Sequence, residues 1–419
     1  MVNIDPAYCG GFRGVTGFTE ALVALAGGGI ESMFWLDRMI FSTWQTWIQS
    51  SIMMTSSSEI QECGLQTQSD RQESSLRVSV IVPVYNGGLA FEACLESLKV
   101  ARPAPAEIIV VDDGSTDGSA DRARRAGLKV LSTPKGRSGP ATARNLGAQE
   151  ATGDILFFVD ADCSLAPDAL SHIEAIFESD PQVAAVVGSY DEEPSARNLL
   201  SQYKNLLHHY VHHNSGPTGF TFWGACGVIR REDFDAVGGF DTSYNTASIE
   251  DIDLGYRLRA AGKEIRMYPA LQVKHHKCWR PKNLFHADFF LRAIPWSRLI
   301  LRTGKMENSL NISRVARLRV ALSGALAASS VISILFPMML WVVGALALML
   351  LACDWSVISW FGRKRGVGFA LAVVPWHWFS HFYSGCGLLV AMFQHWMDGL
   401  QAKGLEEATD AELPAASAG

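Results

Sequence analysis

The chain has 419 residues, of which 48% are hydrophobic and 19% charged, and its formal net charge is −6. A mean hydropathy of +0.11 excludes a fully disordered chain and falls between a soluble enzyme and a polytopic transporter, so a globular part joined to a membrane region is expected. The acidic balance excludes bulk electrostatic attraction to nucleic acid, and no nucleic-acid partner is expected. The length allows two or three domains, at about 100–200 residues each. Eight cysteines are spread along the chain without a CxxC pair, so neither a structural zinc site nor a disulfide framework is indicated, and a reducing compartment suits the globular part.

Residues 1–75 are expected to be a poorly ordered extension. They open with Gly-rich stretches, pass through an apolar but interrupted segment, Met33–Ile52, and end in a Ser/Gln/Glu-rich run. Met33–Ile52 carries Asp37 and Arg38, which is too polar for a confident membrane span, and reads as a marginal amphipathic helix. Met53 or Met54 is an alternative start, because organised sequence begins only near Leu76. From there Val78–Val84 is a β-branched run typical of a strand buried on both faces. Phe91–Val100 has helical spacing, and Glu107–Val111 is a second strand ending in Asp112-Asp113-Gly114-Ser115. Ala120–Ala126 reads as a helix, Val130-Leu131 as a short strand and Ala141–Glu150 as a helix. Asp154–Val159 is a further strand ending in Asp160-Ala161-Asp162. Such alternation predicts an α/β domain over residues 76–283, whose mostly parallel sheet takes ligands beyond the carboxyl ends of its strands. Both acidic clusters fall at such ends.

Residues 284–318 mix aromatic and aliphatic side chains with Arg292, Arg298 and Arg302, the pattern of interfacial amphipathic helices bent at Pro295. Val320–Cys353 is uncharged and about 34 residues long. One tilted span needs roughly 20–25 residues, so a hairpin broken near Pro337 is expected. Val367–Phe393 reads as a third span, giving about three membrane helices over 319–396 and a disordered acidic tail over 397–419. Basic residues flank the uncharged run, among them Arg317 and Arg319 before it and Arg363-Lys364-Arg365 after it. The positive-inside rule puts both groups, and the α/β domain with them, in the cytoplasm. A multi-pass protein of the inner or plasma membrane is the expectation.

The motifs bring chemistry with alternatives. Asp160 and Asp162 straddle one residue and point to one side of an extended backbone, where they could hold Mg²⁺ or Mn²⁺ with substrate phosphate or merely cap the following turn. Asp112 and Asp113 could contact a nucleoside or cap their own turn. Arg144, near a helix start, could meet a diphosphate or make a surface ion pair. Glu250 and Asp251 open a helix, where acidic residues are common for capping alone. His275, at the end of Val273–Arg280, could join a metal site, and Lys277 and Arg280 could neutralise a leaving group. His208, His209, His212 and His213 form i,i+4 pairs that could bind metal or line an acceptor. Trp223–Gly227 is a candidate acceptor loop with small residues that allow close backbone approach.

Val80–Asn86, Val111–Asp117, Ala143–Gly147, Val159–Asp162, Gly238–Asp241 and Ile249–Leu254, in this order, resemble glycosyltransferase family 2, over about residues 77–283. The resemblance implies a GT-A fold, a nucleotide-diphosphate-sugar donor, a divalent metal, Mg²⁺ or Mn²⁺, and inversion at the anomeric carbon. It implies donor contacts from Pro83, Tyr85, Asn86, Asp112, Asp113, Arg144 and Asp160, and metal ligation by Asp162 with Asp160 and His275. It makes Asp251 the general base, with Glu250 second. The QxxRW signature of processive polysaccharide synthases is missing, which favours single-sugar transfer. The expected function is therefore an inverting glycosyltransferase acting on a lipid-linked or membrane-associated acceptor. The rivals are a catalytically inactive membrane assembly subunit of the same fold and a nucleotidyltransferase.

Overall fold

The computed structural model describes residues 76–411 other than Ser309, all within one compact unit. The extension over 1–75, its marginal helix and the alternative start lie outside the described residues. The sheet begins with β1 (Val78–Val84), buried along its whole length. Because alternate residues face opposite sides, Val80, Val82 and Val84 enter one core while Ile81 enters the other. Burying each such side chain contributes roughly 1.5–3 kcal/mol. Helix α1 (Gly88–Val100) covers the first core through Phe91, Leu95 and Leu98. Then come β2 (Glu107–Asp112), α2 (Ser119–Arg125), β3 (Lys129–Ser132), α3 (Pro140–Glu150) and β4 (Ile155–Val159). Each lies within a residue or two of the expected span.

The remaining elements of the domain are β5 (Cys163–Leu165), α4 (Ala169–Ser179), β6 (Val183–Tyr190), α5 (Leu199–His213), β7 (Cys226–Arg230), α6 (Arg231–Ala236), α7 (Glu250–Ala260) and β8 (Glu264–His275). The sheet order is β3-β2-β1-β4-β7-β6-β8-β5. β1 pairs in parallel with both β2 and β4, so Asp112-Asp113 and Asp160 end the two strands that flank β1. That is the point at which strand order reverses and ligands gather. β7 runs antiparallel to β4 and β6, so the sheet is mixed rather than uniformly parallel. The antiparallel pairing of β5 with β8 sets Cys163 opposite His275 and carries Asp162 alongside it.

The domain continues into α8 (Pro281–Asp288), a π-helical stretch Phe289–Ala293, and α9 (Ile294–Thr303). The irregularity thus precedes Pro295, which sits in the first turn of α9 where its missing N–H costs nothing. α9 packs on the domain: Trp296 and Leu299 join Ile249, Ile252 and Tyr256 in one cluster. The uncharged run folds as two helices, α10 (Arg314–Ile332) and α11 (Met339–Arg365), with Pro337 in their connection. Both are long and apolar enough to cross a membrane. Near the connection Ile334, Leu335, Met338 and Trp341 are all more than three-quarters exposed. α11 returns to the domain, where Lys364 pairs with Glu192 at 2.7 Å and Arg365 Nε donates to Gln202 at 2.9 Å.

One expectation for the C-terminal region, the disordered tail, is corrected. Val367–Phe393 is helical but is not among the helices apolar enough to span, because Trp, His, Tyr and Ser residues interrupt it. It belongs to α12 (Val367–Ala411), which packs on α5 through Val373 with Tyr203 and Leu206 and pairs with α9 through Asp398 and Arg298 at 2.8 Å. The helix also continues past 397, where a disordered tail was expected; residues 412–419 lie outside the described residues.

One buried network joins the hairpin to α12. Asp354 is fully buried; its Oδ1 lies 2.7 Å from Arg319 Nε, 3.4 Å from His377 Nε2 and 3.5 Å from His381 Nε2, and Trp378 donates to Oδ2 at 3.1 Å. The Asp-His-His group is close enough to hold a metal ion, but the guanidinium already neutralises the carboxylate on the oxygen a cation would need. It acts as an internal ion pair fixing α10 against α11. Removing one partner of such a pair costs about 3–5 kcal/mol. Asp354→Ala should therefore sharply lower the temperature of inactivation in detergent; an unchanged temperature would show that the network carries no stability.

Candidate active site

A cavity of about 430 Å³ opens at the carboxyl end of β1. Pro83, Tyr85, Asn86, Asp113, Arg144, Asp160 and Asp162, all singled out from the sequence, line it. Tyr85 is 44% exposed, so one ring face is free to stack on a base, while Arg137 lies over the ring at 4.8 Å. Asn86 adopts a left-handed backbone (φ 51°), and its Oδ1 accepts from Thr116 N at 2.8 Å. Asp113 accepts from Ser138 N at 2.7 Å, Gly139 N at 2.8 Å and the Thr133 hydroxyl at 2.9 Å, so it fixes the 136–139 loop as part of the wall. Asp112 is different: it is buried, lines no described cavity, and accepts from Ser115 N at 3.2 Å. It caps its own turn.

Arg144 links the parts of the site. It is buried, because α3 starts at Pro140 beside the ends of β2 and β4, and its Nη2 donates to Asp160 Oδ1 at 2.7 Å while Nη1 donates to Glu250 Oε1 at 2.8 Å. Its third guanidinium nitrogen, Nε, has no partner. The surface ion pair considered from the sequence is thus a buried one. Glu250 Oε2 accepts from Ser248 N at 2.8 Å, so both oxygens are engaged and the residue faces neither cavity described here. In this arrangement it holds Arg144. Gly224 allows this arrangement: a Cβ there would lie 2.7 Å from Arg144 Nη2.

Asp251 faces the other way, into a smaller cavity of about 80 Å³ shared with His208, Thr221 and Trp223. Its Oδ2 accepts from Gly224 N at 3.0 Å. Burial, with the Glu250 carboxylate beside it, pushes its pKa up to about 6, near the value that suits a general base at neutral pH. The same cavity gathers part of the histidine cluster. Burial pushes His212 down to about 4 and holds His208 well below the ordinary range, so both rings are neutral. His212 Nδ1 is tied to Gly188 O at 2.8 Å and His209 Nδ1 to Tyr190 O at 2.7 Å, whereas His208 Nδ1 is buried without a partner. The cluster is a polar wall, not a metal centre.

Of the expected metal ligands, Asp160 and Asp162 line the larger cavity, and His275 lies behind Asp162. Asp162 Oδ2 lies 3.7 Å from His275 Nε2, and the His275 ring is held by stacking on Tyr190 at 4.3 Å. Burial opposes ionisation of Asp162, but His275 and then Lys277 outweigh it and hold the carboxyl well below its ordinary range. Carboxylate and imidazole donors are of the type that suits Mg²⁺ or Mn²⁺; Asp162 and His275 are paired, while Asp160 has one oxygen held by Arg144 and the other free for a cation. His276 is excluded, since Ser164 and Ser195 take its two nitrogens at 2.7 and 2.6 Å. Lys277 lines the cavity, while Arg280 instead caps α8 together with Asn283. Three contributors were missed: Arg137, Gly139 and Asn245–Ala247. Only the Gly-flanked basic stretch Lys135–Gly139 carried a readable signal; Asn245 comes into place because Gly139 (φ +92°) lies against its carbonyl.

Residues 79–238 match the family described as glycosyl transferase family 2. The matched residues run from β1 past α6 and carry the acidic strand ends, so this part of the chain is a glycosyl transferase family 2 domain. It is 39% identical over 97 residues to the uncharacterized glycosyltransferase YibD of Escherichia coli, a match covering 22% of this chain and 28% of that one. It is 27% identical over 233 residues to the N-acetylglucosaminyl-diphospho-decaprenol L-rhamnosyltransferase of Mycobacterium tuberculosis, covering 47% and 75%. The chain spans about a quarter to a half of the length of most curated relatives it matches best. A solved mannosyltransferase from Pyrobaculum calidifontis, in complex with GDP-Man and Mn²⁺, shares 21% identity and a TM-score of 0.47, covering 72% of this chain and 88% of that one.

The crowding at Gly224 gives a test. Gly224→Ala should displace Arg144 from its two carboxylates and lower turnover by ~10²-fold, the cost of a misplacement of about 1 Å. Turnover within twofold of the parent would show that the bridge does not set the geometry.

Proposed function

We propose that the protein transfers a single sugar from a nucleotide-diphosphate sugar to a lipid or membrane-associated acceptor, inverting the anomeric centre, with its catalytic domain on the cytoplasmic side. The observation that carries this is the Arg144 bridge, which holds Asp160 in the larger cavity and Glu250 beside Asp251 in the smaller one. Donor and base thus sit on either side of one fixed guanidinium. The larger cavity takes the nucleotide, with Tyr85 against the base and the loop fixed by Asp113 around it. Asp162, Asp160 and His275 would hold a divalent ion, which when bound stabilises the departing diphosphate. Lys277 adds positive charge on the same wall. Asp251 accepts the proton of the acceptor hydroxyl as its oxygen bonds to the anomeric carbon and the bond to diphosphate breaks.

The membrane part of the reading rests on α10 and α11, whose exposed apolar tip would be a liability in water. Basic residues at both ends of the hairpin favour a cytoplasmic domain, and nucleotide sugars are made in that compartment. Two spans suffice for this arrangement. An inactive subunit would have no need for aligned carboxylates on both cavities. A nucleotidyltransferase would need a basic phosphate loop after β1, but the Asn86–Gly88 amides are taken up by Ser115, Ser119 and Asp117.

Asp251 must be ionised to act, so kcat/KM should fall about tenfold per pH unit below about 6 and level off above it. Asp251→Asn should remove this limb and lower turnover by ~10²–10⁴-fold while nucleotide binding persists; a variant with parental turnover would remove Asp251 from the mechanism. Independently, Asp162→Ala should abolish the increase in nucleotide affinity that Mg²⁺ or Mn²⁺ produces in calorimetry. Metal-dependent binding equal to the parent's would place the ion elsewhere.

A further inference from the structure

The small cavity holding Asp251 adjoins a third cavity of about 410 Å³. Lys204, Leu207, Val211, Arg292, Trp296 and Leu310 line both, so the two form one path leading away from the base. Its far wall comes from the hairpin and from α12 and is mixed: Ala316, Val320 and Leu388 are apolar, whereas Arg317, Arg319, His377, Ser380, His381 and Ser384 are polar. α10, which supplies Ala316 and Val320, is one of the two helices apolar enough to cross a membrane.

Charge along this path is not balanced. Lys204 Nζ is 2.6 Å from Asp288 Oδ1, and Arg319 is matched by Asp354. Asp288 is further occupied by the Tyr383 hydroxyl at 2.9 Å and meets Arg292 only at 3.7 Å. Arg317 lines the same cavity and has no ion pair among the described residues; its Nη1 contacts Met306 sulfur at 3.1 Å. Arg292 and Arg317 are therefore cations in excess beside a partly apolar wall. Guanidinium groups in such settings favour phosphate, which they can engage through two parallel hydrogen bonds. Arg292 sits in the π-helical stretch, a local distortion that often marks functional positions. At the inner end lie Asp251 and His208, whose buried Nδ1 has no hydrogen-bond partner.

We propose that the two adjoining cavities form the acceptor path for a phosphate-bearing lipid: its reacting hydroxyl lies at Asp251, its phosphate at Arg292 and Arg317, and its chain between α10 and α12. The proposal rests on the glycosyl-transfer reading and narrows the acceptor to an anionic lipid. A neutral glycolipid would leave Arg317 without an ion pair and Arg292 with only its 3.7 Å contact to Asp288.

The test uses the full chain in nanodiscs and a farnesyl diphosphate carrying a terminal benzophenone, with excess UDP, GDP and Mg²⁺ to occupy the donor cavity. Photolabelling followed by peptide mapping should place the cross-links within residues 292–300, 316–320 and 384–388. The corresponding farnesol, without the diphosphate, should label at least tenfold less, and inorganic diphosphate should not compete. Arg292→Glu should cut labelling at least tenfold, with partial recovery in Arg292→Lys. Leu388→Trp, which narrows the apolar part without touching a charge, should also lower it. Equal labelling by the alcohol, cross-links confined to the exposed hairpin tip, or full labelling of both variants would overturn the proposal. Nucleoside diphosphate affinity in the same preparation separates the two readings. Retained nucleotide binding without path labelling removes only the lipid path, and loss of both removes the transferase reading too.

Discussion

A single buried guanidinium constrains this active site. Arg144 is taken out of water, so its charge must be matched, and the structure matches it with two carboxylates from distant parts of the chain. Asp160 comes from the end of β4 and Glu250 from the first turn of α7. Leaving either partner out would strand a buried charge, at a cost of several kcal/mol. The pair of ion pairs therefore holds the donor wall and the helix carrying Asp251 in one register. Gly224 has no side chain because the guanidinium fills the space where one would be, and its amide in turn donates to Asp251. Asp251, Arg144 and Asp160 are thus parts of one packed unit.

That unit explains how neighbouring acidic residues acquire different tasks. Glu250 and Asp251 are adjacent in sequence, but on a helix adjacent side chains point about 100° apart, so one meets Arg144 and the other faces an open cavity. Asp112 and Asp113 divide in the same way at the end of a strand, where successive side chains alternate: Asp112 closes its own turn and Asp113 holds the loop that lines the donor cavity. Asp162 gains its environment from β5, three residues long, whose pairing with β8 brings His275 beside it.

Below the base, the catalytic domain and the apolar hairpin are joined by polar anchors rather than a linker. Arg319 and Asp354 lock the two hairpin helices together, Lys364 and Arg365 dock on the 192–202 region, and α12 runs from α5 to α9 along the join. The cavity between these elements exists because α12 packs along the domain.

The strands, their order along the chain and the acidic strand ends were legible in the sequence, because β-branched runs and turn residues act locally and the sheet merely collects them. The hairpin was legible for an equally simple reason: an uncharged run of that length exceeds one membrane crossing. Motif order was enough to point to Arg144, Asp160, Asp162, Asp251 and His275. Which carboxylate caps, which positions and which faces substrate was decided only in three dimensions, since those roles depend on partners up to a hundred residues away. The packing of Val367–Phe393 was likewise decided by tertiary contacts: its aromatic and histidine side chains find partners on α5, α8 and α11.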